Sequence, residues 1–209
     1  MPEAVENCKY QEEAETIMIE ALSMFTAYLI GAFPTAYLLG RLFKKVDIRQ
    51  IGSGNVGGMN MYRAAGILPG LLTVLLDLAK GAVAVNLALS LSGELTVVLI
   101  SSGLVVLGHN YSIFLSFKGG KGLATSLGVF LVLSPDIILY IILLALILSL
   151  ILKDINTAFG SATVGIPIVL YFQHQQWGWV LFGLAIAAVI ISKHLNDFQA
   201  YIQRRRELR

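Results

Sequence analysis

The sequence predicts an all-α membrane protein, a seven-transmembrane-helix bundle with glycine-rich cytoplasmic loops. Three observations predict it. Of its 209 residues, 56% are hydrophobic and 13% charged, where a soluble domain carries about a quarter charged, and the mean hydropathy is +0.76. The apolar residues fall into repeated segments with short connections, which makes one bundle rather than two domains. Lysine and arginine concentrate in alternate connections, as they do on the cytoplasmic side of membrane proteins. The formal charge of +2 says little beside that distribution. A single cysteine, Cys8, excludes an internal disulfide and gives no metal-site spacing. No metal, cofactor or nucleic acid is called for.

Residues 1–20 read as an acidic N-terminal extension, with Glu3, Glu6, Glu12, Glu13, Glu15 and Glu20 against Lys9. A secretory signal has a basic start followed by an apolar core. This segment has neither, and reads as a solvated or surface-lying helix or a disordered tail. Residues 21–203 form the membrane domain. Its first span covers Met24 to Leu42 and contains Gly31 and Pro34, which membrane helices tolerate when neighbours satisfy the freed backbone. A polar stretch, Phe43 to Gly66, holds Lys44, Lys45, Arg49 and Arg63. The second span, Ile67–Leu91, ends at the turn Ser92-Gly93-Glu94, and the third runs from Leu95 to about Gly108. Leu123–Leu133 has about half the usual spanning length. Ser134-Pro135-Asp136 breaks it before Ile137–Leu152. Beyond Lys153-Asp154-Ile155-Asn156 lie Thr157–Phe172 and Trp177–Ser192, separated by Gln173-His174-Gln175-Gln176. Residues 204–209 are a basic tail carrying Arg204, Arg205, Arg206 and Arg209.

Charge decides whether the short fourth segment crosses. With seven crossings and the N-terminus outside, the inner face receives Arg41, Lys44, Lys45, Arg49, Arg63, Lys118, Lys121, Lys153, Lys193 and the arginine tail. The outer side keeps only Lys9, and Lys80 lies within the second span. Without that crossing, Lys153 and the tail move outside. Seven crossings therefore fit, and they bring both glycine-rich loops and the end of the last span to one face.

The densest glycine-and-lysine cluster is Lys118-Gly119-Gly120-Lys121-Gly122, just before the apolar run at Leu123. Glycines free the backbone to bend and let N–H groups converge. Two lysines supply point charges for a phosphate or carboxylate, and a helix N-terminus adds to both. A nucleotide P-loop is excluded, since Gly122 follows Gly120-Lys121 where a hydroxyl is needed and Leu115 replaces the first glycine. The plainer alternative is a flexible basic loop that anchors a turn.

The second cluster is Gly52-Ser53-Gly54-Asn55-Val56-Gly57-Gly58-Met59-Asn60, with Arg63 beyond it. Its G-x-G-x-x-G pattern denotes a dinucleotide site only between a strand and a helix, and here it lies between membrane spans. Its glycines, serine hydroxyl and amides suit a backbone nest for phosphate oxygens, to which Arg63 adds a guanidinium fork. The alternative is a glycine-rich turn packed at the interface. Asp77 and Lys80 share one face of the second span and read as a structural ion pair, because an unpaired charge at that depth is costly. His109 and His194 stand at the ends of the third and last spans. Each suits a dipole-answering structural role as well as a place in a site. His174, in an outer loop, reads as solvated.

Together, GSGNVGGMNMYR and GHNYSIFLSFKGGKGLAT resemble the first two motifs of the bacterial acyl-phosphate:glycerol-3-phosphate acyltransferase family, integral membrane enzymes with seven spans. The spacing between the motifs and Asp77-Leu78-Ala79-Lys80-Gly81 match as well, and the resemblance covers about Tyr28 to Ala200. It implies transfer of a fatty acyl group from acyl phosphate to the 1-hydroxyl of glycerol 3-phosphate, giving lysophosphatidic acid and phosphate. It also implies a bacterial inner-membrane location with a cytoplasmic site, contact with membrane lipids, and a soluble partner that forms acyl phosphate.

By position, the resemblance makes Ser53, Lys121 and His194 the catalytic group. Phosphates would be held by Gly52, Gly54, Asn55, Gly57, Asn60, Arg63, Lys118, Gly119, Gly120 and Gly122, with His109, Asn196 and Asp197 as further candidates. The histidine–aspartate pair of soluble-type lipid acyltransferases, four residues apart, is absent, since His194 and Asp197 are separated by only two. The chain departs from the family at several points. Gly58-Met59-Asn60 replaces Ala-Thr-Asn, Ser112 replaces proline, Gly31-Ala32 replaces Gly-Ser, and Asp197 takes the place of an asparagine. An aspartate beside anionic substrates is unfavourable unless protonated or turned away, and Asn196 offers an amide one residue earlier. Two other functions stay open: a diverged relative that binds lipid phosphates without catalysis, and an anion transporter with broken helices. The latter usually shows internal repeats, and the two halves of this chain share none.

Overall fold

A computed structural model describes residues 2–207, and Arg209 of the basic tail lies outside them. Ten α-helices form among the described residues: α1 (Pro2–Ala32), α2 (Thr35–Lys44), α3 (Gly58–Ala65), α4 (Ile67–Leu91), α5 (Leu95–Asn110), α6 (Leu123–Leu133), α7 (Asp136–Leu152), α8 (Ile155–Ala162), α9 (Ile166–His174) and α10 (Trp177–Glu207). Five helical stretches are long and apolar enough to cross a membrane: Lys9–Lys44, Ile67–Leu91, Leu95–Leu115, Ile155–His174 and Trp177–Glu207. Leu123–Leu133 and Asp136–Leu152 are shorter apolar helices. At a rise of about 1.5 Å per residue, α6 is about 16 Å long and α7 about 25 Å. The acidic segment is not separate from the first span, because α1 runs unbroken from Pro2 to Ala32.

The first span is broken where the sequence places Pro34. A proline has no N–H and its ring opposes the helical carbonyls before it, so α1 stops at Ala32 and α2 resumes at Thr35. Neighbouring side chains meet the freed carbonyls. Ser112 Oγ donates to Ala32 O at 2.5 Å, and Lys80 Nζ donates to Phe33 O at 2.5 Å.

Two close crossings set the bundle. Gly31 of α1 faces the backbone of Val105, and Gly108 of α5 faces that of Tyr28, so a Cβ on either would collide with the other helix. Gly81 of α4 and Gly128 of α6 face the Thr125 and Leu78 carbonyls in the same way. Small residues that let backbones touch are how membrane helices associate without a hydrophobic drive between them. Around these crossings, Val85, Val105, Val106, Val129, Ile137, Leu170, Ile186 and Ile190 form a continuous buried core.

Contacts at the helix ends fix direction. Lys121, ahead of α6, reaches Asp197 near the end of α10, and Asp154, after α7, reaches Arg204 of the same helix at 3.0 Å. The turn between α6 and α7 lies at the opposite end, where Ser134 Oγ donates to Gln173 Oε1 at 2.8 Å beside the start of α10. Helices α6 and α7 therefore run in opposite senses, joined by a turn beside the start of α10.

Candidate active site

The end of the bundle that holds Lys121 and Asp197 also gathers the two glycine-rich loops. The first loop is closed by a side chain inside it. Asn60, only 2% exposed, donates through Nδ2 to the carbonyls of Ile48, Ile51 and Asn55 at 3.1, 2.9 and 3.0 Å. Its Oδ1 accepts from Ser53 N at 3.1 Å. Gly54 N is also used, in a turn to Ile51 O at 3.0 Å, and Asn55 N points to Ser53 Oγ at 3.4 Å. This corrects the sequence reading of Asn60 and Gly54. The Asn60 side-chain amide and the Gly54 N–H are consumed by the loop itself, and neither is left for a phosphate. Gly52 takes φ +59 against Asn60 Oδ1, a conformation and an approach that a side chain would oppose. Ser53 and Arg63 are exposed, and Asn55 and Gly57 are half-buried. Gly57 opens α3, whose first N–H groups have no helical carbonyl to bond.

The second loop folds back on the end of α5. Gly119 N donates to Asn110 O at 3.1 Å and Gly120 N to His109 O at 3.0 Å. The expectation that these two amides converge on an anion is corrected in the same way. They satisfy the last carbonyls of α5, which a helix end leaves without partners. What these two glycines supply is close approach: a Cβ on Gly120 would strike both His109 Nε2 and Val56 O. Val56 belongs to the first loop, so the two loops touch at Val56 and Gly120. Leu115 of the second loop is buried with Val56, Met61 and Ile48 of the first. Lys118 is exposed, Lys121 is half-buried, and Gly122 caps α6 at φ 82.

Helix α10 is latched to this loop and the end of α5 by four hydrogen bonds and one cation–π contact. Asn110 Nδ2 donates to Val189 O at 3.0 Å, and the Tyr111 and Ser192 hydroxyls lie 2.7 Å apart. Lys193 Nζ stands 4.1 Å from the centre of the Tyr111 ring and donates to Phe117 O at 3.3 Å. Lys121 Nζ donates to Asp197 Oδ2 at 2.5 Å. The Asp197 carboxylate is thus not turned away from the loop but faces Lys121. Asn196 is exposed. His194 is fully buried. Its Nδ1 lies 2.9 Å from Ile190 O, its ring packs against Gly160 of α8, and its Nε2 has no partner among the described residues.

Beneath the loops lies a polar cluster at the α1–α2 break. Lys80 Nζ is 3.0 Å from Asp77 Oδ1 and 3.1 Å from Thr35 Oγ1. Thr35 donates to the same carboxylate oxygen at 2.5 Å, and His109 Nδ1 lies 3.6 Å from it. Asp77 and Lys80 are 2% and 8% exposed, so each charge depends on the other. A small recess lined by Thr35, Lys80, His109, Val56, Gly119 and Gly120 joins this cluster to both loops. Thr35 and Asn110 are contributors that the sequence reading passed over. An asparagine closing an apolar span was the available signal for the second.

Fold and site together define a polytopic helical membrane protein whose cationic and glycine-rich segments meet at one end of the bundle. A family model, glycerol-3-phosphate acyltransferase, matches residues 21–204. Glycerol-3-phosphate acyltransferase 2 of Moorella thermoacetica is 39% identical over 80% of this chain and 86% of its own length. The glycerol-3-phosphate acyltransferase of Syntrophotalea carbinolica is 41% identical over 85% of this chain and 91% of its own. The crystal structure of PlsY (YgiH), an integral membrane glycerol 3-phosphate acyltransferase, in its glycerol 3-phosphate form superimposes with a TM-score of 0.81 at 33% identity, covering 89% of this chain and 93% of that one. Its lysophosphatidic acid form gives 0.77 at 31% identity. The chain belongs to the glycerol-3-phosphate acyltransferase family.

Proposed function

We propose that this protein transfers a fatty acyl group from acyl phosphate to the 1-hydroxyl of glycerol 3-phosphate, releasing lysophosphatidic acid and phosphate. The observation that carries this reading is the meeting of the two glycine-rich loops at Val56 and Gly120 beside Lys121, in a member of a family named for glycerol-3-phosphate acylation. Both substrates are anions, and the exposed or half-buried cations Arg63, Lys118 and Lys121 supply the matching charge. Ser53 and the N–H groups opening α3 receive phosphate oxygens, and Arg63 holds the phosphate of glycerol 3-phosphate. Lys121 and the N-terminus of α6 stabilise charge developing on the leaving phosphate, which itself takes the hydroxyl proton. His194 backs the site from α10, buried against Gly160 of α8, and positions that helix without touching substrate.

In the membrane we propose seven crossings, a single domain over residues 21–203, the N-terminus outside and the site in the cytoplasm of a bacterial cell. The basic residues on the loops that α10 contacts support that orientation. A soluble partner that makes acyl phosphate would reach the site from the same side.

Detergent-purified protein given palmitoyl phosphate with and without glycerol 3-phosphate tests the reading, with lysophosphatidic acid and phosphate followed together. Equal yields, lost in Ser53→Ala and lowered at least about a hundredfold in Lys121→Met, are expected. A thioester donor in a parallel reaction decides donor class, and turnover on the thioester alone would overturn the acyl-phosphate assignment. One observation favours a second reading, a lipid-phosphate-binding relative without catalysis: Lys121 is already paired with Asp197. Phosphate binding by well-folded protein without product would establish it.

A further inference from the structure

The Lys121–Asp197 pair joins two elements 76 residues apart, and it sits where a substrate anion has to arrive. Neither side chain is sealed in: Lys121 is 21% exposed and Asp197 22%, so solvent and small anions reach the pair. Among the described residues, Asp197 is the one carboxylate within ion-pair distance of Lys121. The helix that carries it cannot drift, since Asn110, Tyr111 and Phe117 hold its Val189, Ser192 and Lys193. The carboxylate itself retains side-chain rotation on a half-open surface.

We propose that Asp197 is a resident counterion of Lys121 that substrate or product phosphate must displace, setting how tightly this site holds phosphate. The inference rests on Lys121 being the phosphate-binding lysine. An ammonium shared with a carboxylate gives an incoming phosphate less charge, and the carboxylate next to it repels the same anion. An asparagine at this position would do the reverse, removing the repulsion and offering an N–H. Asp197 therefore weakens phosphate binding, favours release of product phosphate, and keeps Lys121 oriented between turnovers. It acts on phosphate through Lys121 and is a positioning and specificity residue.

The test uses inorganic phosphate as the probe on the full-length purified protein, read by calorimetry and by inhibition of acyl transfer. Asp197→Asn is expected to tighten phosphate binding by up to about fivefold, a change of the size expected for a half-exposed ion pair, and to lower the KM for acyl phosphate more than it changes kcat. Lys121→Met is expected to abolish phosphate binding in both backgrounds. A merely structural salt bridge would lower the melting temperature and kcat without tightening phosphate. Unchanged or weaker phosphate binding in Asp197→Asn overturns the inference, and Asp197→Ser is read by the same criterion if Asp197→Asn does not fold. The calorimetric arm needs no turnover. Tightened binding with no acyl transfer by the wild type would sink the acyltransferase reading alone, and normal transfer with unaltered phosphate affinity would sink this inference alone.

Discussion

The Ser112 hydroxyl donates to the Ala32 carbonyl across 80 residues, with both residues buried. The contact ties the last residue of α1 to the loop that follows α5. Ser112→Ala leaves that carbonyl buried without its donor, and a loss of about 1–3 kcal/mol in stability is expected. Denaturation of the purified protein in detergent measures it, and a wild-type melting curve would show that the bond contributes nothing.

Lys80 holds three partners at once: Asp77, Thr35 and the Phe33 carbonyl. Lys80→Met is expected to destabilise the fold by about 3–5 kcal/mol, because Asp77 becomes a buried charge without a counterion. Adding Asp77→Asn to that variant should recover part of the loss. A double variant as unstable as the sum of the two singles would mean that the pair is not coupled.

Asp47 makes a pH-dependent contribution. Arg49 donates two guanidinium hydrogen bonds to its carboxylate, at 3.0 and 2.7 Å, and its own backbone N–H at 3.0 Å, with Arg41 at 3.9 Å. The Arg49 side chain first, against the opposing effect of burial, holds Asp47 at about 2 instead of 3.8. A carboxylate depressed in the folded state contributes stability that is present above about pH 4 and lost as pH falls through about 2. Asp47→Asn is expected to flatten the acid limb of the melting curve over that window. An unaltered slope there would assign the limb to other groups.

The α4–α6 crossing gives a matched pair of substitutions. A methyl on Gly81 would collide with the Thr125 carbonyl, whereas Gly103 meets nothing within 4 Å. Gly81→Ala is expected to cost about 1–3 kcal/mol by forcing the helices apart, and Gly103→Ala to stay within about 0.5 kcal/mol of wild type. Equal melting temperatures for the two would contradict the close crossing.

Much of this was legible in the sequence. Apolar length located the long helices, and the two glycine clusters marked the loops that meet at the end of the bundle. What each loop donor bonds was not legible. An asparagine amide such as Asn60 serves a phosphate or three backbone carbonyls with the same chemistry, and only the course of the chain decides. The same holds for the Gly119 and Gly120 amides, taken by carbonyls of α5. The partner of Asp197 depends on a contact between α10 and a loop far away in the chain, which no local pattern encodes. Even a local rule left room: Pro34 reads as tolerated within one span from Met24 to Leu42, whereas the chain stops α1 at Ala32 and resumes at Thr35.

The helix break at Phe33–Pro34 has a bearing on how the chain is made. The Phe33 carbonyl obtains a second donor from Lys80, 47 residues later, and the Ala32 carbonyl obtains its own from Ser112, 80 residues later. A nascent first span entering the membrane alone keeps the Phe33 carbonyl bonded to the Thr35 N–H at 3.0 Å but carries an open acceptor at Ala32 where lipid offers no donor. It becomes fully bonded only after the second span and the end of the third have emerged from the ribosome. The first span is therefore completed by the end of the third, and a chain that stops short of Ser112 leaves the Ala32 carbonyl without its donor.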